Sequence, residues 1–101
     1  MPQSLRIARN AERQIRRASD WWHQNRPSAR SLFRQELRRA FELILSQPSS
    51  GPASFDESAR DVRRVLLVRS RYYVYYRLDE AENVVEVLAI WHTSRGDPPN
   101  L

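Results

Sequence analysis

The sequence lacks several residue types, and each absence excludes a class of site. It has no cysteine, so it can form neither a disulfide framework nor a thiolate metal site. Its two histidines, His23 and His92, fall on different predicted elements with no acidic residue at a ligand spacing, so we predict no metal site. Its two glycines, Gly51 and Gly96, are isolated. A phosphate-binding or dinucleotide-binding loop is therefore excluded, and we predict no cofactor.

Long apolar runs are also missing. No stretch approaches the ~20 apolar residues of a membrane span, and the N-terminal residues carry Arg6 and Arg9 where a signal peptide would have its apolar segment. We therefore predict a soluble cytoplasmic protein with no membrane partner. The length of 101 residues fits one domain over residues 1–101. Residues 96–101 are expected to form a flexible tail, because two consecutive prolines disfavour regular structure there.

Lysine is absent as well, since all 17 basic residues are arginine. The guanidinium group stays protonated at physiological pH, so it can bind anions and stack on aromatic rings but cannot transfer protons. The net charge is +5, and residues 1–50 hold ten arginines against four acidic residues. A basic surface of this kind suits a nucleic-acid backbone or an acidic protein, and a solvated face is an equally good interpretation.

Hydrophobic spacing predicts a strand followed by two helices. Leu5 and Ile7 alternate with polar residues, as in a short strand. From Asn10 the apolar residues recur every three or four positions, which predicts a helix ending near Asn25. Pro27 suits the first turn of a second helix, and so short a connection makes the two an antiparallel hairpin. The predicted buried residues of the two helices are Ala11, Ile15, Ala18 and Trp22, then Phe33, Leu37, Ala40, Phe41 and Ile44.

After a loop over residues 47–61 the apolar spacing becomes two, which predicts three strands. Two of them fall within residues 62–79, VRRVLLVRSRYYVYYRLD, and the third follows a turn at residues 79–83. The side chains assigned to the core are Val62, Leu66, Val68, Tyr72, Val74 and Tyr76, with Tyr73 and Tyr75 on the opposite face. The predicted fold class is α+β: an N-terminal strand, then an antiparallel two-helix hairpin packed on one face of a three- to four-stranded antiparallel β-sheet.

Acid–base cleavage of RNA is the enzyme class that the composition allows, because it needs cations for the phosphate and a proton carrier nearby. Arg64, Arg69 and Arg77 could bind the phosphate, and His92, at the end of the last strand, could carry the proton. The alternative for His92 is a structural histidine bonded to backbone or solvent. Trp21 could stack on a base or simply cover a helix edge.

The order of elements resembles the RelE/ParE superfamily of type II toxins, and the similarity covers nearly the whole chain. The residues that carry it, in this order, are Pro27, Pro48, Gly51, Arg64, Tyr72, Tyr76 and His92. The resemblance implies the same fold and a co-expressed antitoxin whose C-terminal segment wraps the toxin. Leu66 and Tyr73 stand where RelE-like nucleases have basic residues, and no tyrosine follows His92. The chain therefore looks more like the ParE branch.

That branch implies a plasmid-stabilisation toxin that is not an enzyme. It would inhibit DNA gyrase by binding it, would not bind DNA alone, and would be neutralised by a ParD-like antitoxin in a heterotetramer with two of each chain. We predict that the antitoxin contacts the basic hairpin and the open sheet face, through Arg13, Arg17, Trp21, Arg34, Arg38, Tyr73 and Tyr75. The predicted target-binding residues are Trp91, His92 and Arg95. Two alternatives stay open: a RelE-like ribosome-dependent mRNA endoribonuclease using Arg64, Arg69, Arg77 and His92, and a small basic binding module without toxicity.

Overall fold

The structure, a computed structural model, describes residues 4–48, 61–97, 99 and 101. Its elements in chain order are strand β1 (Ser4–Ile7), helix α1 (Arg9–Asn25), a short 3-10 turn (Pro27–Ala29), helix α2 (Leu32–Ser46), and strands β2 (Arg63–Leu67), β3 (Tyr72–Asp79) and β4 (Val84–His92). The predicted order of strands and helices is confirmed. Most of the loop predicted over residues 47–61 lies outside the described residues. Within the described part of the chain, no helix has the length and apolar character needed to cross a membrane.

The four strands form one sheet in the order β1-β4-β3-β2. Strands β2, β3 and β4 make the predicted antiparallel meander. Strand β1, however, pairs with β4 in parallel, from Ser4 opposite Val84 to Ile7 opposite Val87. The prediction of a wholly antiparallel sheet is therefore wrong for this pair. A parallel pair needs a long crossover between its strands, and the two helices and two strands that separate β1 from β4 supply it. Alternation of apolar residues predicts a strand but not the direction of its neighbour.

The helices cover one face of the sheet and form the main core with it. Helix α1 lies over β4, where Ala11 is fully buried and lets the helix approach the strand closely. Ile15 and Phe41 are half-buried at the edges of the predicted stripes. The buried residues of this core are Ala11, Ala18, Trp22, Phe33, Leu37, Ala40 and Ile44 from the helices and Leu67, Val74, Tyr76, Val85, Val87 and Ile90 from the sheet.

The opposite face of the sheet carries a second, smaller apolar cluster. Val62, Tyr75 and Ala89 are buried in it, and Tyr73 and Trp91 pack against them. Tyr73 and Tyr75 thus lie on the predicted face, but Tyr75 is only 2% exposed. The assignment of Val62 and Leu66 to the helix-facing core is wrong. Val62 belongs to this second cluster and Leu66 pairs with Tyr73 on the same face, because β2 is apolar on both sides and its alternation does not show which side meets the helices.

Helix α2 fixes the turn between β2 and β3 through one side chain. The Glu36 carboxylate accepts hydrogen bonds from the backbone N–H of Arg69 at 2.9 Å and of Ser70 at 2.7 Å. Burial on its own would raise the pKa of Glu36, but these hydrogen bonds outweigh it and lower the pKa below its ordinary value. Val68, which begins this turn, is 65% exposed, so its assignment to the core is wrong. The alternation of side chains predicted a strand through Arg69, and β2 ends two residues earlier, at Leu67.

Strand β4 contains one residue more than its partner requires. Tyr75 pairs with Ala89 and Tyr76 with Val87, which leaves Leu88 as a β-bulge. Before the bulge, Val85 and Val87 face the helices. After it, Ile90 faces them, while Ala89 belongs to the opposite cluster. The bulge therefore changes which alternate positions of β4 meet the helices, and it places His92 on the helix side and Trp91 on the other.

Candidate functional site

A groove runs between helix α1 and the C-terminal end of β4, and we call it the α1–β4 groove. It encloses a cavity of about 230 Å³, and an adjoining cavity of about 260 Å³ shares Trp21, Tyr72 and His92 and adds Ser94. Consecutive turns of α1 form one wall and the ends of β3 and β4 form the other. The residues that line the cavity of about 230 Å³ are Gln14, Arg17, Ala18, Trp21, Tyr72, Ile90, His92 and Arg95.

Aromatic side chains give the groove an apolar wall. Trp21 is 45% exposed, contacts Trp22 edge-on with ring centroids 5.8 Å apart, and has the Arg26 guanidinium 5.3 Å from its ring centroid. On the other side, Tyr72 lies edge-on between Phe33, at 5.0 Å, and His92, at 4.8 Å. Burial raises the pKa of Tyr72, so the phenol stays neutral at physiological pH. Each ring is held by a neighbouring ring, which fixes the shape of the wall.

His92 is oriented by the turn that follows β4. The backbone N–H of Ser94 donates to His92 Nδ1 at 3.1 Å, and the Ser94 hydroxyl lies 2.8 Å from the same nitrogen. Since Nδ1 accepts a backbone hydrogen bond, neutral His92 carries its proton on Nε2. This geometry is the backbone-bonded histidine that the sequence offered as the alternative to a catalytic one.

Trp91 and His92 are neighbours in sequence but lie on opposite faces of the sheet. The indole N–H of Trp91 donates to the carbonyl of Asp97 at 2.7 Å, and the Arg95 guanidinium lies 4.2 Å from the Trp91 ring centroid. Arg95 also lines the α1–β4 groove, so it borders both surfaces at the end of β4. Asp97 and the buried Pro99 fall in the segment predicted to be a flexible tail, whose flexibility stays a prediction.

The predicted antitoxin-binding residues are distributed over three places. Arg17 and Trp21 line the α1–β4 groove. Arg34 donates to the Ser19 hydroxyl at 2.8 Å and so links the two helices. Arg13 and Arg38 are exposed on the same helical hairpin, with Arg13 hydrogen-bonded to Asn10. Tyr73 and Tyr75 lie on the far side of the sheet, where the Arg64 guanidinium is 4.0 Å from the Tyr73 ring centroid.

The structure does not bring the four nuclease candidates together. Arg64 lies beside Tyr73 on the sheet face opposite the helices, whereas His92 lies in the α1–β4 groove. Arg77 forms an ion pair with Glu86 at 3.0 Å, five positions along β3 from the residue that pairs with His92, which is about 17 Å at the rise of a strand. Arg69 belongs to the turn held by Glu36.

The residues of the groove that were not predicted to belong to a site are Gln14, Ala18, Tyr72, Ile90 and Ser94. Tyr72 was read only as core, because it belongs to a run of four tyrosines within five positions. The backbone N–H of Ile90 donates to Gln14 Oε1 at 2.7 Å. Ile90 lies past the residues of β4 that pair with β1. No sequence signal links two residues 76 positions apart. Ser94 would have been found from its position two residues after His92. Among the described residues, no three His, Cys, Asp or Glu side chains are grouped to hold a metal ion.

An antiparallel helix pair on one face of a four-stranded sheet with a parallel edge strand is the fold of the RelE and ParE toxins, and solved structures match it. A chain of the chromosomal ParDE TA system from P. aeruginosa has a TM-score of 0.70 and 18% identity, covering 89% of this chain and 95% of that one. The intact E. coli RelBE toxin–antitoxin complex gives 0.63 and 17%, covering 90% and 96%. RelBE2 from Mycobacterium tuberculosis gives 0.62 and 22%, covering 91% and 99%.

The sequence matches a family model over most of its length. Residues 5–96 match the family described as the ParE toxin of the type II toxin-antitoxin system parDE. No curated protein matches the chain. The chain belongs to the ParE toxin family.

Proposed function

We propose that this ParE-family toxin acts in the cytoplasm by binding DNA gyrase, and that a ParD-like antitoxin neutralises it in a complex with two copies of each chain. The match to the ParE family over residues 5–96 is the observation that carries this proposal. Similar folds solved as ParDE and RelBE toxin–antitoxin systems support a protein partner of this kind.

The arrangement of charged side chains also favours binding over catalysis. Phosphodiester cleavage needs cations and a proton carrier around one phosphate. Here Arg77 is paired with Glu86, and Arg64 and His92 lie on opposite faces of the sheet. In contrast, the basic helical hairpin and the α1–β4 groove present cationic and aromatic groups together, which suits an acidic protein segment.

The first experiment tests the target. Purified full-length chain is added to DNA gyrase, and supercoiling and the amount of cleaved DNA are measured. We expect less supercoiling and more cleaved DNA, with an Arg95→Gln variant weaker than an Arg30→Gln variant that removes the same charge from the exposed hairpin. No effect of the wild-type chain on either readout would refute gyrase as the target. Early arrest of translation with cut messages, abolished in His92→Ala, would instead support the endoribonuclease.

The second experiment tests the partner. The chain is co-expressed with the product of the adjacent reading frame, and the mass of any complex is measured by light scattering. We expect a complex with two of each chain and loss of toxicity. Failure of the two proteins to co-purify would argue against an antitoxin encoded there.

A further inference from the structure

We propose that the turn between β2 and β3, residues 68–71, is a surface by which this toxin contacts its target, and that the target offers it an apolar depression bordered by acidic side chains. We call these four residues the β2–β3 turn. The assignment goes beyond the proposed function and rests on it in one respect, because the target is taken to be a protein.

The β2–β3 turn exposes an aliphatic side chain that contributes nothing to the core. Val68 is 65% exposed, more than the other large apolar side chains exposed in the described part of the chain, which are Trp21, Leu43 and Leu101. Removal of an aliphatic group from water is favourable, so a partner protein that covers Val68 is stabilised by it. A single exposed apolar residue is common on protein surfaces. The argument for Val68 therefore depends on its neighbours in the turn.

Arg71 has a backbone conformation that its residue type disfavours. Three non-glycine residues of the described chain have a positive φ, and two of them, Asp61 and Asn83, are of the types that tolerate it. Arg71, with a φ of 68°, is not of those types. Glycine would adopt this φ without strain, so arginine at this position lowers the stability of the fold. Strain of this kind is concentrated at functional sites.

The two arginines of the β2–β3 turn carry charges that the described part of the fold does not pair. Both Arg69 and Arg71 are exposed. The arginines that form ion pairs within residues 4–48 and 61–97 are Arg6 and Arg77. Guanidinium groups bind carboxylates with two parallel hydrogen bonds. Two of them within three positions of an exposed valine match an apolar depression that has acidic residues at its rim.

Hydrogen bonds from three other parts of the chain fix the backbone of the β2–β3 turn. Glu36 of α2 accepts from two consecutive backbone N–H groups of the turn at 2.9 and 2.7 Å. The N–H of Arg71 donates to the carbonyl of Leu67 at 2.8 Å. The N–H of Thr93, which follows β4, donates to the carbonyl of Arg71 at 2.9 Å. A turn that is already fixed loses little conformational entropy on binding, which favours its use as a preformed contact.

The exposed valine favours a protein over a nucleic acid as the partner. Both kinds of partner can bind the arginines, one through carboxylates and the other through phosphates. The backbone of a nucleic acid is charged and polar along its length, whereas a protein surface has apolar depressions that can bury an aliphatic side chain. Val68 therefore separates the two partners experimentally, because only the protein contact requires it.

The first measurement is growth arrest when the full-length chain is expressed without an antitoxin, at expression levels measured by immunoblot. The turn variants are Val68→Thr, Arg69→Gln and Arg71→Gly. Two matched controls change exposed side chains outside the turn: Leu43→Gln removes an aliphatic group from α2, and Arg30→Gln removes a guanidinium group. Urea unfolding of the purified chains shows that each variant is folded.

We expect each turn variant to need about tenfold more expressed chain for the same arrest, the loss that one interface contact carries. The controls should stay close to wild type. Arg71→Gly gives the sharpest comparison, because it should be no less stable than wild type and yet less toxic. A turn with only a structural role would lose no toxicity in that variant. Turn variants as toxic as wild type would overturn the proposal.

A second measurement separates this surface from the choice of gyrase. Wild type and the turn variants are added to DNA gyrase, and supercoiling and cleaved DNA are measured. If wild type arrests growth through the turn but has no effect on gyrase, gyrase is rejected and the turn is supported. If wild type and the turn variants act on gyrase equally, the turn is rejected and gyrase is supported. A chain that arrests no growth would overturn both.

A third measurement tests the choice of a protein partner. The same chains are titrated into a fluorescein-labelled DNA duplex, and binding is followed by fluorescence anisotropy. We expect no binding that depends on the β2–β3 turn. DNA binding that weakens in Arg69→Gln and Arg71→Gly but not in Val68→Thr would overturn a protein as the partner of this surface.

Discussion

Replacement of Glu36 should destabilise the fold through the β2–β3 turn. Its carboxylate accepts hydrogen bonds from the backbone N–H groups of Arg69 and Ser70 at 2.9 and 2.7 Å. Hydrogen bonds to a charged group are each worth about 1.5–3 kcal/mol, but Arg69 is exposed and water can replace its bond. Ser70 is 2% exposed and would lose its acceptor. We therefore expect Glu36→Ala to cost about 2 kcal/mol and Glu36→Gln about half as much, because glutamine keeps one oxygen.

The pH dependence of stability gives an independent check. Because the folded pKa of Glu36 lies below its unfolded value, the ionised carboxylate stabilises the fold above the unfolded pKa. That contribution is lost as the pH falls through the folded pKa. Glu36→Gln has no such group, so its stability should approach that of wild type as the pH decreases in the acid range. At neutral pH the gap between the two proteins should be at its largest.

Urea unfolding followed by tryptophan fluorescence measures both effects, at neutral pH and at several acidic values. The matched control is Glu42→Gln, which removes an exposed carboxylate from the same helix and should change the free energy of unfolding little. If Glu36→Ala were no less stable than Glu42→Gln, the carboxylate would not hold the turn. A gap between wild type and Glu36→Gln that grows towards acid pH would contradict the direction of the pKa shift.

Two further substitutions test other contacts. Gln14→Leu should lower the free energy of unfolding by about 1–2 kcal/mol, because the N–H of Ile90 loses its acceptor. The control is Gln24→Leu, at an exposed position of the same helix. Equal effects of the two substitutions in thermal denaturation would contradict this expectation. Glu86→Gln breaks ion pairs with arginines of β1 and β3, including one with Arg77 at 3.0 Å. Its small destabilisation should shrink as salt is added, and a loss that persists in high salt would exclude an ionic origin.

The elements of the fold were predictable where one face is apolar and the other polar. Helix α1 is such a case, since Ala11, Ala18 and Trp22 are buried as their spacing indicated. Strand β2 is the opposite case, because both of its faces meet apolar neighbours and Leu66 was assigned to the wrong one. The parallel pairing of β1 depends on where the chain returns after two helices and two further strands, and no local pattern contains that information.

The candidate site was predictable as a set of residues but not as a place. Arg17, Trp21, His92 and Arg95 were all singled out by charge, aromatic character and family resemblance. Their convergence depends on how α1 crosses β4, which packing of the two elements decides. The nuclease candidates Arg64, Arg77 and His92 lie apart for the same reason, because strand register and sheet face set distances that sequence order does not show.

The extra residue at Leu88 decides which aromatic ring this toxin offers to each side. If β4 were paired in regular alternation through Leu88, without the bulge, Leu88 would stand opposite Tyr75 and every later side chain of the strand would exchange faces. Trp91 would then stand opposite Tyr72, beside α1, in place of His92. A change of one position in strand pairing could thus replace an imidazole by an indole without altering either residue. Relatives of this chain that pair this strand in another register would present a different chemical surface even where their residues here are identical.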